Sequence, residues 1–454
     1  MRRKIDVEAL NSLREELKHP PEKQWQTYNC TLVTPMYGGG VEAGKVDEKM
    51  PIRASSIRGQ LRFWWRIACG PEDSNKLFEK ETEIWGGIGD AKIKSELEES
   101  SETEKHGSKK SKVQIRVSNV VFKGEVKAFE YKPNKAQKYT PFPDPDFGHA
   151  YALFSAQGQL ADERRTILQE AKKIAKPELT FDLNIHLKTD GKNALTPEQV
   201  DEVKEAIRWW ASFGGVGSRT RRGLGAVDLN GEGITPVTRA EVEAKGGVLI
   251  SVAVASKNQE KAPIICWKYG CDKLRDFRQG EKVGRNKGKD KRPGRSFWQE
   301  ADQLRHLTEK NDNGRHMPEF EKNLIFPRAA FGLPIQFQFP GKNNDPDSMN
   351  LYPEDSERLA SSLIIRPYYD GKGWNSAALL LPDWKKALTQ PLTLKPSSDN
   401  KSSNNEKVTY QVNHWPGEDQ QAERDRLTND IKPMKGRSND PLSAFLDYFK
   451  EGNS

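Results

Sequence analysis

Polar and apolar positions alternate most clearly over residues 179–187. Apolar side chains occupy every second position of this segment, at Leu179, Phe181, Leu183, Ile185 and Leu187. A period of two places these side chains on one face of an extended chain. The pattern therefore predicts a half-buried β-strand.

A helix is predicted shortly after this strand. Thr196 can cap it, Pro197 suits its first turn, and Gln199 can reach back as in a capping box. The apolar residues that follow recur every three to four positions, at Val200, Val203, Ile207 and Trp210. This is the period of an amphipathic helix. We expect it to end at the glycines 214–215, because glycine tolerates a left-handed conformation.

The second half of the chain again contains strand patterns. The segment "VLISVAVA" follows the glycines 246–247, and in "LPIQFQF" the apolar Ile335, Phe337 and Phe339 alternate with glutamines. Strands and helices that mix in both halves are typical of the α+β class. We therefore predict two α+β domains, residues 1–245 and 246–454.

Polar stretches interrupt these patterns at three places. Residues 96–112 are predicted to form a solvated insertion, residues 278–295 a mobile basic loop, and residues 395–407 a flexible linker or loop. Hydrophobic residues make up only 35% of the chain and charged residues 30%, which agrees with solvated insertions in the folded cores.

The segment "NDPLSAFLDYFK" predicts a C-terminal helix. Asp440 is a plausible cap and Pro441 suits the first turn. The apolar residues Leu442, Phe445, Leu446 and Phe449 fall on one face. That face can pack on its own domain, which we favour, or dock a neighbouring subunit.

The charge balance favours a polyanionic partner. The chain has 73 basic and 65 acidic residues among 454, for a net charge of +8. Ordinary solubility explains the same excess. Four scattered cysteines without a CxxC pair fit a reducing cytoplasm, and the apolar runs are too short to span a membrane. A cytoplasmic location is therefore expected.

The segment "GGVGSRTRRGLG" at residues 214–225 combines five glycines with three arginines. It follows a helix instead of opening one and lacks the ending of a P-loop, so no nucleotide cofactor is predicted. Several arginines in one loop can meet successive phosphates of a polymer. The candidate residues are Gly215, Gly217, Ser218, Arg219, Arg221, Arg222 and Gly223. The alternative is a glycine-rich hairpin with incidental surface charge.

A second arginine-rich segment, "PIRASSIRGQLRFWWRIACG", covers residues 51–70. Ser55 or Ser56 is expected to cap a helix whose apolar stripe comprises Ile57, Leu61, Trp64 and Ala68. Arg58, Arg62 and Arg66 recur every four residues and line an adjacent face, with Arg53 just upstream. Such a row repels itself unless an anion lies against it. The alternative is that each arginine pairs with a carboxylate of the fold.

Candidates for catalysis are few. The seven histidines form no HExxH or HxH cluster, and His186 fits a satisfied strand position. No metal site or cofactor is predicted. A metal-independent ribonuclease built on His149 or His186 with a nearby lysine stays open.

Six blocks of the sequence together resemble a known family. They are "LVTPMYGGG", "PIRASSIRGQLRFWWR", "FGGVGSRTRRGLG", "PGRSFWQEADQLRHL", "FPRAAFGLPIQFQF" and "LASSLIIRPY", in order over roughly residues 27–381. The chain resembles the RAMP superfamily and, more narrowly, the first-numbered subunit family of the Cmr complexes, the type III-B CRISPR effectors.

The resemblance implies two ferredoxin-like, RRM-like domains with solvated insertions. It implies a non-catalytic RNA-binding subunit of an RNA-guided antiviral complex, at the end that holds the 3′ part of the guide RNA and contacts target RNA. Other Cmr subunits are the implied protein partners. The family's arginines in the second domain fall on Arg295, Arg328 and Arg366, and charge adds Arg292.

Two other functions stay open at this point. One is a RAMP endoribonuclease that processes precursor guide RNA, which would share the fold and the glycine-rich loop. The other is a scaffold that touches only protein, whose arginines would be buried in salt bridges.

Overall fold

Antiparallel sheets and flanking helices build both halves of the chain. The computed structural model describes residues 24–42, 44–87, 109–161, 164–229, 233–288, 294–339, 344–397 and 408–451. Helices and strands are mixed along these segments, and the predicted α+β class is confirmed.

The helices of the described segments are α1 Ala54–Ala68, α2 Ser74–Trp85, α3 Pro197–Phe213, α4 Arg239–Ala244, α5 Ala262–Gln279, α6 Glu300–Thr308, α7 Trp384–Ala387, α8 Gln421–Asp430 and α9 Pro441–Lys450. Short 3-10 turns cover Phe154–Ala156, Thr220–Arg222 and Pro327–Phe331. None of these helices combines the length and the apolar character that a membrane span requires.

The strands are β1 Gln26–Leu32, β2 Met36–Tyr37, β3 Val113–Val121, β4 Glu125–Lys127, β5 Phe129–Pro133, β6 Tyr139–Pro143, β7 Gln159–Leu160, β8 Ile167–Gln169, β9 Lys173–Ala175, β10 Thr180–Leu187, β11 Val227–Asp228, β12 Val248–Ala253, β13 Ile335–Phe337, β14 Met349–Pro353, β15 Leu363–Tyr369, β16 Trp374–Leu380, β17 Leu392–Pro396 and β18 Tyr410–Val412.

The main sheet of the first half has the strand order β11-β1-β10-β3, with antiparallel neighbours throughout. The predicted alternation on β10 is confirmed, because Phe181, Leu183 and Ile185 are buried. Helices α1 and α3 supply much of the rest of this core, and Trp64 packs against Trp209 there.

The main sheet of the second half has the order β12-β16-β15. Helices α5 and α9 contribute to its core, where Phe277 meets Phe445 edge to face with ring centroids 5.5 Å apart. Asp440 caps α9 through its side chain, and the apolar face of the helix is buried. Helix α9 therefore packs on the second half of the chain, as the favoured alternative expected.

Smaller sheets complete the two halves. Strands β13, β14, β17 and β18 form one sheet, and β2, β9 and β4 form another. The hairpins β5-β6 and β7-β8 lie between β3 and β10 along the chain.

Two predictions about helix ends need correction. The capping box of α3 is confirmed, and the helix ends at Phe213, but Gly214 is extended at φ −90° instead of left-handed. Helix α1 begins two to three residues earlier than predicted. Arg53 is at the cap position without a side-chain cap, so Ser55 and Ser56 lie in the first turn.

The polar insertions fall partly outside the described residues. Residues 88–108, 289–293 and 398–407 lie there, and with them most of the first and last predicted loops and the centre of the basic loop. The division into residues 1–245 and 246–454 stays a prediction.

Candidate nucleic-acid interface

The glycine-rich loop, residues 214–225, connects α3 to β11 and is bonded to the segment that contains β2. The Ser218 amide donates to the Tyr37 carbonyl at 2.7 Å, and the Gly225 amide donates to Pro35 at 2.9 Å. The Val216 amide donates to the Gly225 carbonyl at 2.9 Å, inside the loop. These three amides are therefore used by the protein, and any ligand would be met chiefly by the side chains of the loop.

Two glycines of the loop are required by geometry. Gly217 has φ +79°, and a Cβ there would lie 2.7 Å from Met36 Cγ. Gly225 has φ +63°, and a Cβ there would collide with the Val216 carbonyl oxygen. Left-handed backbone in contact with its neighbours excludes larger residues. The loop is a rigid platform whose shape depends on these positions.

The same loop joins the two halves of the chain. The indole Nε1 of Trp267, on α5, donates to the Arg222 carbonyl at 2.7 Å. A Cβ on Gly223 would lie 2.6 Å from the Trp267 ring and 2.7 Å from the Ile365 carbonyl oxygen. Close backbone approach at Gly223 thus seats the loop on α5 and β15.

Arg366 fastens the loop from the side of the second half. Its guanidinium donates to the carbonyls of Gly214 at 2.7 Å and Val227 at 3.2 Å, and its Nε donates to Pro367 at 2.7 Å. The side chain is only 2% exposed, and burial lowers its pKa to about 9. This corrects the expectation of an RNA contact: a side chain enclosed in the core cannot reach a polymer at the surface, and Arg366 positions the loop instead.

The three arginines of the loop have carbonyl partners and no carboxylate partner within the described residues. Arg219 donates to Ala152 at 3.2 Å, Arg222 donates to Phe331 at 2.7 Å, and Arg221 donates to Ser361. Burial lowers the pKa of each guanidinium. Their positive charge is therefore not neutralised by the parts of the fold that the structure describes.

Sequence analysis missed Arg278, which adds a further charge at this place. Its guanidinium donates to the Tyr151 hydroxyl and lies over the Phe331 ring, 5.5 Å from the centroid. Its positive charge contributes to the lowered pKa of Arg222, and its buried Nε has no partner among the described residues. We call Arg219, Arg222 and Arg278 the arginine cluster. The only signal for Arg278 in the sequence was its position at the start of the basic loop.

The arginine row of α1 is divided between paired and unpaired side chains. Arg62 and Arg66 share the buried Glu81 of α2, with Nε to carboxylate distances of 2.5 and 2.7 Å. For these two the carboxylate alternative holds. Arg58 has neither an ion pair nor a side-chain hydrogen bond with any other described residue. The row therefore presents less net charge than its spacing suggested.

Replacing Glu81 with glutamine tests this pairing. Burial raises the pKa of Glu81, but hydrogen bonds from Arg66 and Arg62 outweigh it, so the pKa is lowered overall. A lowered carboxyl pKa adds stability above the unfolded pKa that is lost as the pH falls through the folded one. Glu81→Gln should therefore cost about 1–2 kcal/mol at neutral pH, measured by urea unfolding, and the loss should shrink below about pH 4. Glu79 is exposed on the same helix, and Glu79→Gln should leave the free energy of unfolding unchanged at either pH. Equal losses of stability in Glu81→Gln at both pH values would contradict the pairing.

Two neighbouring predicted site residues belong to the start of α1. Arg53 donates through Nε to the Gly39 carbonyl at 3.1 Å and also bonds Gly40, so it fixes the glycine turn beside the loop. Ser55 is exposed in the first turn.

The arginines predicted for the second half are tied to buried carboxylates. Arg295 donates to both oxygens of Asp302 at 2.9 and 2.8 Å, and Arg328 donates to Glu300 at 3.0 Å. These carboxylates are almost fully enclosed, so the pairs contribute to the local fold. Arg292 lies outside the described residues.

The comparison with known families bears on the half that contains the loop. The family model of the RAMP superfamily matches residues 29–228, which run from β1 to β11 and include α1 and the glycine-rich loop. Residues 29–228 are similar to the RAMP superfamily. The resemblance noted in the sequence is thereby confirmed at the superfamily level.

Solved structures similar to this protein include Cmr1 from Pyrococcus furiosus in its apo form. The identity is 13%, the match covers 79% of this chain and 88% of that chain, and the TM-score is 0.37. A chain of the type III-B Cmr-beta complex bound to cognate target RNA is similar at 11% identity, 80% and 94% coverage and a TM-score of 0.36. Because these scores are low, the family rests on the match over residues 29–228. No curated protein matches the chain.

The histidines considered for a RAMP nuclease have partners. His149 lies next to the loop and is 7% exposed; its Nδ1 accepts from the Ala152 amide at 3.2 Å, and its Nε2 lies 3.1 Å from Asp272. His186 lies on β10, and its Nδ1 is 2.9 Å from the Gln24 carbonyl oxygen. With both ring nitrogens engaged, His149 has no free site to accept a proton from a ribose hydroxyl.

Proposed function

We propose that this protein is a non-catalytic RNA-binding subunit of a type III-B CRISPR effector, a Cmr complex. The observation that carries the proposal is the arginine cluster, in which no described carboxylate pairs with Arg219, Arg222 or Arg278. Arg219 and Arg222 lie on the glycine-rich loop and Arg278 on α5 beside it, and guanidinium groups without carboxylate partners are suited to phosphate oxygens.

The place within the complex follows from the sequence resemblance. The six motif blocks resemble the subunit that caps the end holding the 3′ part of the guide RNA, where target RNA is also contacted. Other Cmr subunits are the proposed protein partners, and the cytoplasm is the proposed location. No cofactor takes part in the proposed RNA binding.

We further propose that each half is a ferredoxin-like domain, with the boundary near Gly246. Across the sheet of the first half the strands appear in the order β11, β1, β10, β3. In chain order these are the fourth, first, third and second strands, and helices follow the first and the third. Across the sheet of the second half the order is β12, β16, β15, which are the first, third and second strands in chain order, and α9 follows along the chain. Both agree with a split βαβ arrangement, the second without its last strand.

The proposed binding surface has a direct part and a supporting part. The arginine cluster, Arg58 and Arg221 would neutralise phosphates without reading bases. Several residues would keep the loop and the start of α1 in shape: Arg53, Gly215, Gly217, Gly223 and Arg366. Ser55 and Ser218 are exposed and would add hydroxyl donors. Arg62, Arg66, Arg295 and Arg328 would contribute less, since each has a carboxylate partner.

RNA binding across a salt series tests the proposal. The logarithm of the affinity of the purified chain for single-stranded guide-length RNA should fall linearly with the logarithm of the salt concentration. The slope should be about −2 or steeper if three or more phosphates are neutralised. The RNA should stay intact in gels of the same samples. Binding that does not depend on salt would contradict the proposal. RNA cleavage that disappears in the His149→Ala protein would favour the endoribonuclease instead.

A further inference from the structure

Two carboxylates and one imidazole converge at a place remote from the arginine cluster in sequence. Asp312 and His316 lie in the turns after α6, and Asp345 lies ahead of β14. One ligand atom of each lies within 4.8 Å of the other two. The Asp312 amide donates to the Asn344 carbonyl at 2.9 Å, which holds the two segments together.

Asp312 has a buried carboxylate oxygen that the described surroundings leave unsatisfied. The residue is 6% exposed, and its Oδ1 is buried without a hydrogen-bond donor among the described residues. A buried carboxylate oxygen without a partner pays a large desolvation penalty. The other oxygen of this carboxylate, Oδ2, lies toward His316, so a cation bound between the two residues would compensate the buried negative charge.

The distances suit one small ion. His316 Nδ1 lies 3.1 Å from Asp345 Oδ2 and 3.9 Å from Asp312 Oδ2. Ligand atoms about 2.0–2.1 Å from a tetrahedral zinc ion stand roughly 3.3 Å apart. The two distances lie on either side of that value, so small side-chain adjustments are enough.

The charges and the access route also fit. Two carboxylates face one imidazole. The Arg305 guanidinium lies near them, with its Nε 3.8 Å from Asp345 Oδ1, but its Nη1 bonds Asp302 at 3.0 Å. The His316 side chain is 43% exposed, so an ion can enter from solvent. Its Nε2 has no hydrogen-bond partner among the described residues and can carry the ring proton once Nδ1 binds a metal.

We propose that Asp312, His316 and Asp345 bind one divalent zinc ion. A mixed set of imidazole and carboxylate ligands suits transition metals better than magnesium or calcium, and zinc binds such sets more tightly than manganese does. With three protein ligands, a water molecule would complete the tetrahedron. The ion would fasten the turns after α6 to the segment ahead of β14, independently of RNA binding.

Zinc titration of the metal-stripped full chain tests this proposal. Calorimetry should give one strong site per chain, and zinc should raise the melting temperature. His316→Ala should weaken the strong site by about tenfold or more, and Asp312→Asn should do the same. Asp347→Asn is the matched control, because Asp347 is a neighbouring carboxylate that pairs with Lys310 at the surface; it should leave the affinity unchanged.

The outcomes are distinct. Loss of the strong site in His316→Ala with retention in Asp347→Asn supports the proposal, even if Asp312→Asn does not fold. Absence of zinc binding by the wild-type chain would overturn it. So would binding that is equally strong in wild type and His316→Ala, since zinc would then be held by other residues. RNA affinity should be the same with and without zinc in every case.

Discussion

Replacing Gly225 with alanine should destabilise the protein by about 2–4 kcal/mol. Gly225 has φ +63°, and an added Cβ would collide with the Val216 carbonyl oxygen on the opposite side of the loop. The Val216 amide donates to the Gly225 carbonyl, so the two segments cannot separate without losing that bond. Urea unfolding monitored by tryptophan fluorescence measures the loss.

Gly246→Ala is the matched control for this prediction. Gly246 also has positive φ, +79°, but a Cβ there would meet nothing within 4 Å. Only the left-handed backbone term remains, about 1–2 kcal/mol. Equal losses at Gly225 and Gly246 would show that the collision, and with it the close-packed loop, is absent in solution.

Arg366→Met should cost about 3 kcal/mol, because several buried carbonyls lose their donor at once. From a strand of the second half, the guanidinium bonds Gly214, the first residue of the glycine-rich loop, and Val227, just after the loop. Methionine fills much of the volume but donates nothing. The free energy of unfolding should fall, and the RNA affinity should fall with it, since the loop loses its support.

Two further variants sharpen this result. Arg366→Lys should recover only part of the stability, because a single ammonium cannot reproduce a planar fork that serves three carbonyls. Arg239→Met removes an exposed arginine that pairs with Glu243 within one helix and should change stability by less than about 0.5 kcal/mol. Wild-type stability in Arg366→Met would contradict the role assigned to Arg366.

Local pattern was sufficient where neighbours in sequence decide the structure. The alternation on β10, the capping box of α3 and the apolar face of α9 all depend on residues a few positions apart. Trp64 was likewise assigned to the apolar stripe of α1 from its helical spacing, and it is buried in the core. Such features involve short-range geometry that a sequence expresses directly.

Partners from distant parts of the chain were not predictable in this way. Glu81 neutralises Arg62 and Arg66 from another helix, and nothing in their spacing indicates this. Arg366 was expected to contact RNA because the family's second-domain arginines fall on it, whereas carbonyls from the first half enclose it. Arg278 was overlooked since its companions, Arg219 and Arg222, lie more than fifty positions away in the sequence.

The most direct test of the claim that the arginine cluster binds RNA phosphates uses the double variant Arg219→Ala with Arg278→Ala. The measurement is the salt dependence of its RNA binding. Each neutralised phosphate adds about 0.7 to the slope for single strands. The double variant should therefore have a slope shallower than that of the wild type by about one to two units. The RNA affinities of both proteins are compared after correction for the fraction that is folded. Arg239→Ala, an exposed arginine paired with Glu243, should keep the wild-type slope. A double variant with the wild-type slope and affinity would contradict the assignment of the arginine cluster to RNA phosphates.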